Sequence, residues 1–154
     1  MRIEPWFRFA LYGAFAALFA TGALWLVADR LKDSADGETW QMVAADLLMV
    51  HGGVTMITLM MLGALVPLHA RRGWRAGRNR LTGAAMATFN AILITTAFGL
   101  YYFGSDSLRP WASALHTDLG LLLPVLLVVH VMVGRRSSAV RTTGGILPTR
   151  PRSD

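Results

Sequence analysis

The sequence of 154 residues contains no cysteine. That absence excludes disulfides, thiolate-held iron–sulfur clusters, covalently attached c-type haem and cysteine nucleophiles. Charge is scarce too: Asp, Glu, Lys and Arg make up 16% of the chain, whereas 54% is hydrophobic. A soluble domain carries about 25% charged residues, so the apolar surplus has to face lipid. Lysine is almost missing, since 14 of the 15 basic residues are Arg, set against 9 Asp plus Glu for a formal charge of +6. These basic residues lie at the ends of long apolar runs rather than along one polar face. Their placement therefore reads as membrane topology, with no nucleic-acid partner. Only 4 histidines are present, and with thiolates absent any metal or cofactor must rely on them.

A spanning helix needs about 20 apolar residues. Runs free of Asp, Glu, Lys and Arg extend over Phe9–Ala28, Leu47–Ala70, Leu81–Ser105 and Leu119–Gly134. The last reaches back towards Pro110 if Asp118 lies among the headgroups. None alternates apolar and polar residues as an outer-membrane strand would. The expected fold is all-α: an integral membrane four-helix bundle of up-down topology, with spans over 9–28, 42–69, 81–104 and 111–134 within a domain 1–136. The first apolar run is longer than a signal-peptide h-region and Glu4 interrupts the n-region, so this helix is expected to be retained. Residues 137–154, with Thr-Thr-Gly-Gly and two prolines, read as a basic, disordered tail.

Placing the amino terminus, the 69–80 loop and the tail on one side collects 12 of the 15 basic residues there. By the positive-inside rule that side, with both termini, is cytoplasmic. Trp6, Trp25, Trp40, Trp74, Trp111, Tyr101 and Tyr102 fall near span ends, where amphipathic rings rest at headgroup level. The expected location is a bacterial cytoplasmic (inner) membrane, with the chain multi-pass and in contact with lipid.

The histidines fall two each on the second and fourth spans: His51 and His69, then His116 and His130. In an up-down bundle these helices are parallel, which puts His51 level with His116 on the outer side and His69 level with His130 on the inner side. At about 100° per residue, the step from His51 to His69 is close to five whole turns, and that from His116 to His130 falls roughly 40° short of four. Each helix thus directs both histidines towards much the same neighbour. The axial rises are about 27 Å and 21 Å, a mismatch of about 6 Å that tilt or kinks at Pro67 and Pro124 can absorb.

Ionisable groups inside a bilayer are expensive and by default mark function. Two imidazoles facing each other can supply both axial ligands of a haem iron, leaving no open position, an arrangement suited to electron transfer. Gly52, Gly53 and Gly120, with Gly22 and Gly99 on the other helices, leave room for a flat macrocycle, although glycine is common in spanning helices anyway. Thr21-Gly22-Ala23-Leu24-Trp25 and Ala97-Phe98-Gly99-Leu100-Tyr101 hint at a two-plus-two duplication.

A four-helix chain with paired histidines at two depths resembles the dihaem cytochrome b membrane subunits that anchor bacterial respiratory dehydrogenases, reductases and hydrogenases. Leu115-His116 through His130-Val131 is the closest local match, and the likeness spans residues 9 to 136. Two departures stand out: the gap between His51 and His69 is longer than is usual in that family, and His69 lies at the edge of its span. The resemblance implies haem b, two per chain or one if His69 is not a ligand, with His51/His116 outer and His69/His130 inner. It also implies quinone and a partner redox subunit: a dehydrogenase, a reductase or a periplasmic cytochrome. The chain would then be an electron-transfer subunit of an oxidoreductase complex rather than an enzyme alone.

Arg109 and Lys32 outside, and Arg71, Arg72, Arg135 and Arg136 inside, are available to pair with haem propionates, or serve only as topology signals. Asp46 and Asp118 are candidate proton acceptors near the outer haem, or first-turn anions favoured by the helix dipole. Met56, Met60, Met61 and Met132 read as gap-filling core more readily than as axial ligands. Asn90, Thr95 and Thr96 read as interhelical hydrogen-bond partners. Competing readings are a haem-free transporter or a metal or proton carrier using the same histidines, and a structural anchor subunit.

Overall fold

The computed structural model describes residues 4–77 and 79–143, with side chains through residue 137. All regular structure among the described residues is helical: α1 (Pro5–Leu31), α2 (Gly37–Leu65), a π-helical turn (Val66–Ala70), α3 (Arg71–Arg75), α4 (Arg80–Tyr102) and α5 (Leu108–Thr143). Because α2, the π turn and α3 are continuous, the described chain has four helices long and apolar enough to cross a membrane: Pro5–Leu31, Gly37–Arg75, Arg80–Tyr102 and Leu108–Ser137. That makes it a multi-pass membrane protein. The helices overrun the apolar runs at most ends. Beyond the lipid the hydrogen-bond ladder continues until a turn stops it, so α5 passes Gly134 and reaches Thr143. The tail expected to be disordered over 137–154 is helical as far as Thr143, and its remainder from 144 onwards lies outside the described residues, as does Arg78.

Each start and stop has a local cause. Pro5 opens α1 at a position whose N–H would be unpaired in any case, and Glu38 in the first turn of α2 meets the positive end of the helix dipole. Five residues link α1 to α2, and beside them Lys32 Nζ donates to Asp29 at 2.8 Å. That bond raises the Lys32 pKa above its ordinary value. Gly77 (φ 67°) and Asn79 (φ 48°), both left-handed, turn the chain between α3 and α4. At the end of α4, Phe103 folds its ring back over Gly99, where a Cβ would come within 2.5 Å of it and force the ring to move.

The helices pack as two hairpins, α1 on α2 and α4 on α5, joined by a lesser α1–α5 contact. The histidine-bearing helices α2 and α5 are not a closely packed pair. Leu11, Phe15 and Leu123 form the buried core, with Met61, Leu62, Leu65, Met86, Phe89, Leu93 and Leu127 against it. This plug draws on all four spans midway along the bundle. Most other large apolar side chains are exposed, as expected where lipid replaces the core as apolar solvent and packing plus polar contacts hold helices together.

Candidate haem site between α2 and α5

The structure brings the four histidines together in the two predicted pairs. The ring centroids of His51 and His116 are 6.4 Å apart and their planes cross at 74°. Those of His69 and His130 are 6.1 Å apart and cross at 84°. One pair lies on each side of the apolar plug. Their meeting also requires α2 and α5 to run parallel.

Helices without histidine orient these rings. His51 Nδ1 meets Thr21 Oγ1 of α1 at 2.8 Å, and His116 Nδ1 meets Thr96 Oγ1 of α4 at 3.0 Å and the Leu93 carbonyl at 3.2 Å. Thr21 already donates its hydrogen to the carbonyl of Ala17 (2.7 Å) or Leu18 (3.1 Å). Thr96 does the same to Ile92 (2.8 Å) or Leu93 (3.1 Å). With its hydrogen on its own helix, each hydroxyl oxygen is an acceptor that pairs with an imidazole protonated at Nδ1. The Leu93 carbonyl, which can only accept, requires the same of His116. At the inner level His130 Nδ1 meets Thr82 Oγ1 of α4 at 3.1 Å, and the Thr82 hydroxyl also reaches the Asn79 carbonyl (3.3 Å). The Leu93 carbonyl thus sets the proton of His116 on Nδ1 and leaves its Nε2 lone pair free, and the threonine contacts of His51 and His130 are compatible with the same tautomer.

That state is the one a metal requires, with the far nitrogen's hydrogen bond fixing tautomer and ring direction. The spacing agrees as well. Two metal–imidazole bonds of about 2.0 Å, each continued about 1.1 Å to the ring centre, place the centroids about 6.2 Å apart when the metal lies between. Both pairs meet that value. The donor set is two imidazole nitrogens per pair, and among the described residues no group of three or more His, Asp or Glu gathers to form a protein-only metal cage. Two facing imidazoles without further protein ligands are a donor set that would suit a haem iron, with the macrocycle supplying the remaining nitrogens. Gly22 packs beside the outer pair: a Cβ there would sit in van der Waals contact, 3.5 Å from the His51 ring.

The inner pair is built differently. Pro67 has no N–H to continue the α ladder, and Arg71 N–H reaches the carbonyl of Val66, five residues back. The resulting π turn carries His69 and adjusts its rotation and height, a correction expected near Pro67. Pro124 lies inside an unbroken α5. His51, His116 and His130 are half-buried, whereas His69 is exposed, and among the described residues no hydrogen bond reaches its ring.

The remaining candidates stand apart. Arg71, Arg72, Arg109, Arg135 and Arg136 are all exposed at the two ends of the bundle, where their side chains make no ion pair among the described residues. Asp46 and Asp118 are exposed, and no hydrogen bond links either to a histidine. Met56, Met60 and Met132 are exposed and Met61 packs against the core. Asn90 bonds within its own helix, to Met86. Sequence reasoning missed Thr21 and Thr82 as ring anchors, although one signal was present. Thr82 and Thr96 are 14 residues apart on α4, the same interval as His116 and His130 on the antiparallel α5.

Comparison with known proteins gives no match to a family model, to a curated protein or to a solved structure.

Proposed function

We propose that this chain is a membrane b-type cytochrome, an electron-transfer subunit whose His51/His116 and His69/His130 pairs each hold a haem b. The observation that carries this reading is the repeated pair geometry: two imidazole pairs at 6.4 and 6.1 Å, with three of the four rings tied at Nδ1 so that Nε2 is left to bind. Haem held between two histidines supplies one-electron transfer with no open position for substrate.

The chain's own residues do the rest. Thr21, Thr96 and Thr82 fix the imidazoles in the binding tautomer, so little reorganisation is left for the moment of binding. The plug of Leu11, Phe15 and Leu123 keeps water from the space between the two levels, which are separated by about 21 Å along α5. Arg109 outside and Arg71, Arg72 and Arg135 inside are free to meet propionates at the two membrane surfaces. Asp46 and Asp118 face outwards, where protons released by a quinol would leave. The chain carries no cysteine and no other redox-active group, so electrons must pass between the quinone pool and a partner redox protein. The distribution of arginine supports cytoplasmic termini by the positive-inside rule, in keeping with a bacterial inner membrane.

Substituting His116→Ala tests this directly. The variant should lose the outer haem's low-spin spectrum and keep the inner one. Retention of the full low-spin haem content would refute the assignment.

A further inference from the structure

The two imidazole pairs differ in how firmly their rings are held. At the outer level both rings are half-buried and each Nδ1 is bonded to a threonine on a neighbouring helix. At the inner level His130 has Thr82, but His69 has no such anchor among the described residues. Counting back along α1 from Thr21 by 14 residues reaches Phe7, which carries no hydroxyl. His69 also rides the π turn Val66–Ala70, which packs along its own helix and not closely on α1, α4 or α5. π turns of this kind recur at functional sites.

Resting on the haem reading above, we infer that His69 is a replaceable axial ligand, and that the inner site accepts a small neutral diatomic molecule, such as CO or NO, in its place. The exchange breaks the imidazole–iron bond of His69 and forms one bond from iron to the incoming molecule. No proton or electron is transferred. The released ring is already exposed at the membrane surface, where water satisfies it. At the outer level the same exchange would strip a half-buried ring from its iron, with Thr21 or Thr96 still holding it in place. A buried polar group left unpaired is costly, which keeps the outer site closed.

The test uses the purified full chain in lipid nanodiscs, reduced and titrated with CO, with haem content measured in parallel. The inference expects two haems per chain, of which CO perturbs one. In His69→Ala the competing ligand is gone, so CO should still perturb one haem, at several-fold lower concentration; if that variant sheds the inner haem, the CO response should go with it. Two CO-responsive haems in His69→Ala, or a response that survives loss of the inner haem, would assign the wild-type response to the outer site and overturn the inference. So would two haems with no CO response, or one haem indifferent to the His69 substitution, and in both cases the cytochrome reading would stand. Absence of haem altogether would sink both.

Discussion

Thr21, Thr82 and Thr96 each direct a hydroxyl hydrogen to a carbonyl of their own helix and turn the oxygen towards a histidine on the next. The back-bond to the helix is an ordinary habit of threonine in spanning segments. Here it has a chemical consequence, because it decides which imidazole nitrogen bears the proton. Valine has nearly the same shape and no acceptor. Thr21→Val or Thr96→Val should therefore lower haem affinity at the outer site by about 10–100-fold, the usual effect of removing a ligand's supporting hydrogen bond. Thr→Ser at the same positions should restore it. Competitive haem transfer to an apo-globin measures this, and equal affinities for Val and Ser would show that the hydroxyls do not matter. At this scale legibility was uneven. Histidines on an otherwise apolar helix stand out because a polar group in lipid is costly. Threonine is unremarkable there, and its partner depends on helix rotation. Only Thr96 was placed beforehand as an interhelical contact.

Elements were legible wherever hydropathy decides and obscure wherever the backbone departs from the α ladder. The four apolar runs located the spans because every backbone group in lipid must be paired within its own helix. Their ends were less legible, since α1, α2 and α5 continue into the interfacial region where composition changes but hydrogen bonding does not. The π turn was foreshadowed only as an adjustment near Pro67. Which adjustment forms depends on the need to bring His69 to His130, and that is a tertiary demand. Pro67→Ala restores the missing N–H and favours a regular α-helix there. Removing the bulge would rotate the following residues by about 100°. His69 should then turn away from His130, and the inner haem should become high-spin while the outer remains low-spin. Electron paramagnetic resonance separates the two states, and an unchanged inner signal would show that the π turn does not set the ligand geometry.

For the molecule as a whole, the two hairpins repeat one design: α1 orients a ring on α2, and α4 orients a ring on α5. Thr21 and Thr96 play matching parts in this design, although Thr96 lies just before the Ala97–Tyr101 stretch that sequence similarity pairs with Thr21–Trp25. The asymmetry lies across the membrane, with 12 of the 15 basic residues assigned to one side. The lack of native cysteine makes that assignment simple to test. Ser34→Cys in the α1–α2 loop should react with a membrane-impermeant maleimide added to intact cells, and Gly73→Cys in α3 should react only after permeabilisation; the reverse pattern would invert the proposed topology.

The central claim is that both imidazole pairs hold haem, and the reduced-minus-oxidised absorbance spectrum of the purified chain, with haem counted per protein, tests it most directly. The account predicts a b-type band and two haems per chain, lost stepwise when His116 and then His130 are replaced. A colourless protein that folds with all four histidines in place would contradict it.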